Sequence, residues 1–172
     1  MKKIVFSLCC IIFFLGLIHT TTAQKLLSEQ ELAAAKEYTS VETAVAEADK
    51  VYKLSLTGIK SLPADIAKLP NLQVLILSGV QDADLKNILG QIANLPIQEL
   101  YLRESQLTVL PAEIAKLKNL RQLDLSFNKY TTLPAEIGQC SKLQTLNLLE
   151  NKFAPEEKDK VKKMLPNTNV LF

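Results

Sequence analysis

The sequence predicts an α/β solenoid, one domain of stacked repeats in which short strands alternate with short helical segments. Three observations carry this prediction. An L-x-x-L-x-L pattern of apolar residues returns five times, a Leu-Pro-Ala-acidic-Ile pattern recurs between the strands, and the flanking segments have the apolar spacing of caps.

The strand pattern is met at Val51, Leu54 and Leu56, then at Leu72, Leu75 and Leu77. It returns at Ile97, Leu100 and Leu102, at Leu120, Leu123 and Leu125, and at Leu143, Leu146 and Leu148. The last three sets begin 23 residues apart; the first two intervals are 21 and 25, so the early repeats carry a deletion and an insertion. The last two apolar residues of each set alternate as a strand does, with one face buried.

The second pattern runs from Leu62-Pro63-Ala64-Asp65-Ile66 to Leu69, from Leu110-Pro111-Ala112-Glu113-Ile114 to Leu117, and from Leu133-Pro134-Ala135-Glu136-Ile137 to Cys140. Proline is read as opening a short helix, where its missing N–H costs nothing. Asp65, Glu113 and Glu136 then fall in the first turn, where negative charge suits the helix dipole. The Ile and the residue three places on point into the same core. One repeat cannot bury its own apolar face, whereas a stack can, and each buried Leu contributes on the order of 1.5–3 kcal/mol.

These residues resemble the leucine-rich-repeat family, in its 23-residue subclass with L-P-x-x-I-x-x-L on the convex side, similar to Ras-group-related repeats and to exported bacterial repeat proteins. The resemblance covers Val51 to Phe172. It implies a right-handed solenoid with a parallel β-sheet on the concave face, and that sheet as the usual binding surface. The family places Asn three residues after the second strand Leu, bonded to the turn backbone. Asn128 and Asn151 match, Ser105 substitutes, and Ile59 and Val80 depart. Ile59 is read as the following apolar position instead. The second repeat lacks Leu-Pro; Leu85, Ile88, Leu89, Ile92 and Leu95 have helical spacing there, predicting a true α-helix capped by Asp82 or Asp84.

Both ends read as caps. Thr39-Ser40-Val41-Glu42 is a capping box before a helix to about Asp49 that turns Val41, Ala44, Val45 and Ala48 toward the first repeat. Ser28-Glu29-Gln30-Glu31 opens another helix, over Glu29 to Tyr38. Pro155 to Leu165 is a charged helix with Val161, Met164 and Leu165 as its apolar stripe, and Val170 and Phe172 alternate as a closing strand. The wet side of that helix accounts for the run from Glu156 to Lys160.

Met1-Lys2-Lys3, the apolar run Ile4 to Ile18 and the small-residue exit to Ala23 form a signal-peptide pattern, with cleavage expected between Ala23 and Gln24. The run is shorter than the roughly 20 residues of a spanning helix, so no membrane insertion is expected after cleavage. Too few apolar residues precede Cys9 and Cys10 for a lipoprotein. The predicted organisation is a signal peptide over 1–23, a helical cap over 24–50, repeats over 51–154 (51–71, 72–96, 97–119, 120–142 and 143–154) and a helix-plus-strand cap over 155–172. The expected location is secreted, periplasmic or cell-envelope.

Cleavage changes the chemistry on offer. Lys2 and Lys3 leave, taking the 20 basic residues to 18, equal to the 18 acidic ones. A nucleic-acid partner favours a basic surface, and none remains. The only histidine, His19, also leaves, as do Cys9 and Cys10. Cys140 alone cannot form an intramolecular disulfide or a His/Cys zinc site; at a Leu position of the repeat it reads as a small buried hydrophobe. With no His, no nucleophile elbow and no Gly-rich phosphate loop, no enzyme, no cofactor and no metal are expected.

The residues between the strand Leu positions face outward. One column is Ser55, Ile76, Tyr101, Asp124 and Asn147; the column before it is Lys53, Val74, Glu99, Gln122 and Thr145; and Thr57, Ser78, Arg103, Ser126 and Leu149 follow the strands. Tyr101 and Arg103 are of the types that dominate binding hot spots. The plain alternative is a solvated face with cross-strand pairs such as Arg103 with Asp124, for which Val74, Ile76 and Leu149 are poorly suited. Ile76, Glu99, Tyr101, Arg103, Asp124 and Phe127 are therefore the candidate partner-binding residues, although an aromatic at 127 fits core packing better than ligand contact. The expected function is a monomeric, non-catalytic protein-binding module; the alternative is a structural or adhesion protein of the envelope that recognises surface carbohydrate or self-associates.

Overall fold

The computed structural model describes residues 24–80 and 84–172. The expected signal segment and Asp82, one of the two expected caps, lie outside the described residues.

In chain order the elements are α1 (Glu29–Ala34), β1 (Glu37–Tyr38), α2 (Val41–Val45), β2 (Lys53–Thr57), β3 (Val74–Ser78), α3 (Leu85–Ile92), β4 (Glu99–Arg103), β5 (Gln122–Asp124), β6 (Thr145–Asn147), α4 (Pro155–Met164) and β7 (Asn169–Leu171). The strands form one parallel sheet in sequence order, β1 to β7. Four 3-10 turns, at 48–50, 64–68, 112–116 and 135–139, complete the connections. From α2 to α4 these turns and helices pack in sequence as a second layer.

The strand register follows the repeat alignment. Leu54, Leu75, Leu100, Leu123, Leu146 and Val170 stand in one row, and Leu56, Leu77 and Leu102 in the next. The Leu residues of the first row are wholly buried, between the sheet and Ile66, Ile92, Ile114 and Ile137 of the second layer. A one-residue slip would turn this row to solvent, so burial fixes the register.

The prolines sit one place earlier than expected. Pro63, Pro111 and Pro134 have extended backbone and precede the helical segment; each carbonyl accepts from the amide of the Ile three residues on, at 3.1–3.2 Å. The segments are 3-10, which rises further per residue than an α-helix. Five residues therefore span the back of a short repeat. The 25-residue repeat has room for a true α-helix, and α3 is one: Asp84 caps it by accepting from the Asn87 amide at 3.1 Å, and Leu85, Ile88, Leu89 and Ile92 are buried.

Each of β2 to β6 leaves through a left-handed residue two places after the second Leu of its repeat: Gly58 (φ 67°), Gly79 (φ 64°), Glu104 (φ 53°), Phe127 (φ 56°) and Glu150 (φ 56°). Glycine adopts this at no steric cost; the other three are held by side-chain bonds. Asn128 Oδ1 accepts from the amides of Ser105 and Leu107, and its Nδ2 donates to the carbonyls of Leu102, Leu125 and Ser126. Asn151 repeats this one turn on, reaching the Tyr130 amide and the Leu125, Leu148 and Leu149 carbonyls. Ser105 does less: its hydroxyl accepts from the Val80 amide and donates to the Arg103 carbonyl. Each side chain thereby ties its own turn to the preceding one.

The N-terminal cap departs from expectation. The first helix stops at Ala34, and Glu37–Tyr38 pairs with β2 as a seventh strand. The next helix is capped by Ser40 rather than Thr39, through the Thr43 amide, and ends at Val45. The physical reason is the exposed edge of β2, whose free backbone groups need a partner. Tyr38 lies buried under that edge, with its hydroxyl donating to Glu47. At the other end β7 closes the sheet as expected, and Phe153 and Phe172 meet edge to face at 5.8 Å. Cys140 is buried, with Sγ 3.6 Å from the Ile114 carbonyl, and burial pushes its thiol pKa up.

Tyr130 packs wholly within the core, yet its hydroxyl has no hydrogen-bond partner. A buried hydroxyl left unmatched carries a desolvation cost of about 1–3 kcal/mol. Tyr130→Phe is therefore expected to leave stability unchanged or raise it by about 1 kcal/mol, read as the urea midpoint. A loss of more than about 1 kcal/mol would mean that the hydroxyl is partnered in solution.

Candidate partner-binding face

The register that buries the Leu rows turns Lys53, Val74, Glu99, Gln122, Thr145 and Asn169 outward in one row, and Ser55, Ile76, Tyr101, Asp124, Asn147 and Leu171 in the next. Of the expected binding residues, Ile76, Glu99, Tyr101 and Asp124 thus share one face, and Arg103 follows on the same strand as Tyr101. Ile76, Glu99, Tyr101 and Arg103 line a single open cavity of about 410 Å³, together with Lys53, Val74 and Gln122.

The polar residues of this face contact one another, and the buried Arg103 Nε has no hydrogen-bond partner among them. The Tyr101 hydroxyl donates to Glu99 Oε2 at 2.8 Å. The Arg103 guanidinium lies 4.8 Å from the Tyr101 ring centre, a cation–π distance. Its Nε stands 3.6 Å from Asp124 Oδ2, close enough for an ion pair and too far for a hydrogen bond. Burial and the Glu99 carboxylate push the Tyr101 hydroxyl pKa well above its usual value, so it is a donor at any physiological pH. Asp124 is only 6% exposed. It accepts from the Ser126 amide and hydroxyl, at 2.9 and 2.7 Å, and from Asn147 Nδ2 at 3.2 Å. Asp124 therefore offers little surface to a partner; it anchors Arg103.

Phe127 is placed apart from this cluster and against the packing expectation. It is 55% exposed, in the left-handed turn after β5. The left-handed backbone turns its side chain off the core-facing row. Its amide bonds the Leu149 carbonyl, and Leu149 and Leu171 are also exposed. These three form an apolar margin beside the polar cluster.

The other wall of the cavity is Glu29, Leu32 and Ala33 of α1, which the sequence did not place here. Residues 24–34 lie along the strand-entry side of the face. Gln73 and Gln98, both buried, bond the backbone of Lys25 and Leu27. Leu32 is buried on the sheet, at the same cavity as Val74, itself 2% exposed. The apolar Val74 is thus covered by the chain itself. The helix start at Ser28–Glu31 was legible, and it is formed as a capping box; the Ser28 backbone bond and Lys25 hold the Glu31 carboxyl down to about 2. Where its helix docks was not legible: Gln73 and Gln98 share one position of successive repeats, but nothing in the repeat says that this position meets residues 25–27. Among the described residues, no group of three or more His, Cys, Asp or Glu side chains gathers as a metal site, and no helix is long and apolar enough to cross a membrane.

Comparison with known proteins agrees with this architecture. The family model described as leucine rich repeat matches residues 96–153. A solved leucine-rich-repeat protein of Leptospira interrogans is 40% identical, with a TM-score of 0.56, over 69% of this chain and 29% of that one. The plant peptide hormone receptor RGFR1, solved in complex with RGF2, aligns at 25% identity and a TM-score of 0.39, over 58% of this chain and 20% of that one. The chain thus spans less than a third of the length of either solved protein. No curated protein matches. With the repeat ladder and its Asn-bonded turns, the family match and the likeness to the Leptospira protein make the chain a leucine-rich-repeat protein.

Proposed function

We propose that this is an exported, non-catalytic protein-binding module whose partner docks on the open sheet face. The observation that supports it best is the Tyr101–Arg103 pair. Arg103 is held over the Tyr101 ring by an Asp124 that is itself buried and bonded on both oxygens. A pre-organised aromatic and guanidinium at the mouth of a cavity lose little freedom on binding, and both are of hot-spot type. Phe127 and Ile76 add apolar surface on either side.

Replacing Tyr101 and Arg103 together with Ala is expected to abolish partner capture from envelope extract and leave the circular dichroism spectrum intact. Undiminished capture would overturn the site. The structural or adhesion reading draws on the exposed Phe127, Leu149 and Leu171. It predicts envelope retention that depends on these residues and survives the Tyr101 and Arg103 changes.

A further inference from the structure

We propose that Gln73 and Gln98 form a clamp for the main chain of an extended peptide, that residues 24–34 fill it in cis, and that a partner's extended segment competes for it. This extends the protein-binding reading to the strand-entry half of the face, and it stands or falls separately from the Tyr101–Arg103 half.

Two side-chain amides are buried at the strand-entry side of the face. Gln73 and Gln98 are 0% and 1% exposed, and buried amides must be bonded. Their bonds go to a chain segment. Gln73 Nε2 donates to the Lys25 carbonyl at 2.9 Å, and its Oε1 accepts from the Leu27 amide at 2.8 Å. Taking the carbonyl of one residue and the amide two residues on is what a residue in a parallel strand does to its neighbour. Gln98 Nε2 continues the row, donating to the Leu27 carbonyl at 2.9 Å and to Gln73 Oε1 at 2.7 Å. The clamp reads backbone alone, as strand addition does at a sheet edge, but with side chains.

One apolar anchor follows. Five residues beyond Leu27, Leu32 is buried on the sheet face beside Val74, and neither belongs to the continuous solenoid core. The α1 ion pair is internal to the segment, Lys25 to Glu31. Residues 24–34 are thus held by the clamp, a single Leu and an exposed bond from Gln24 Nε2 to the Pro70 carbonyl, on a core that is complete without them. A segment tethered in this way competes at an effective concentration of about millimolar. It shields the site from weak ligands and yields to a partner that offers an extended stretch followed by a large apolar side chain. The occupant we infer is such a peptide segment of another protein.

The test uses the purified protein and a fluorescent peptide of residues 24–36. Leu32→Asp in the protein unseats the cis segment without entering the core. Anisotropy is expected to show the peptide binding this variant roughly tenfold or more tightly than it binds the unmodified protein. The same peptide N-methylated at Leu27, which loses the amide that Gln73 accepts, is expected to lose binding by about tenfold or more; this control leaves the protein untouched. Equal binding to both proteins, or indifference to the N-methyl group, overturns the proposal. A concentration-dependent dimer of the unmodified protein that disappears in Leu32→Asp would assign the clamp to the same segment of a second copy and overturn the partner reading.

Discussion

Leu123→Asp is expected to unfold the protein. Leu123 is wholly buried at the middle of the row, in register with Leu100 before it and Leu146 after it. The substitution forfeits about 1.5–3 kcal/mol of apolar burial. It also places a carboxylate where no cation reaches, at a further cost of several kcal/mol. Domains of this size hold about 5–15 kcal/mol in all. Because each repeat touches only its neighbours, a defect at an end can fray away, while one at Leu123 separates the stack into two halves. Loss of the cooperative thermal transition is the expected readout. Leu171→Asp, on the exposed side of β7, serves as the control and should shift stability by no more than about 0.5 kcal/mol. A folded Leu123→Asp variant would refute the repeat alignment.

Asn128→Ala is expected to have the next largest effect, about 3–5 kcal/mol. It removes five hydrogen bonds, three that join the turn after β5 to the turn after β4 and two that close its own turn. The groups left behind are backbone amides and carbonyls at buried positions, which water reaches poorly. Asn128→Asp should not rescue it: the carboxylate keeps the acceptor for Ser105 and Leu107 but faces the carbonyls of Leu102, Leu125 and Ser126 without a proton to donate. Ser105→Ala, which loses two bonds, is expected to cost about 1–2 kcal/mol. A denaturant series on the three variants checks the order, and equal midpoints for Asn128→Ala and Ser105→Ala would refute the account of the ladder.

The sequence by itself determined the stack. Leu at fixed spacing leaves one register that buries every strand, so the rows from Leu54 to Val170 and the outward columns through Tyr101 could be read from the residues alone. It also determined the helix at Leu85–Ile92, since an insertion with 3.6-residue spacing has no other way to bury four apolar side chains. Only the tertiary structure decided what lies on the sheet face. The strand Glu37–Tyr38 forms because the edge of β2 needs a partner. Asp124 is withdrawn from the surface because Ser126, Asn147 and Arg103 converge on it. Residues 24–34 lie across the strand-entry side because two glutamine amides there meet a backbone 46 to 71 residues away in sequence. Such contacts join residues of the repeat positions to segments outside them or to each other across long separations. Each depends on the folded surface that the repeats create, so none exists as a pattern until the solenoid has formed.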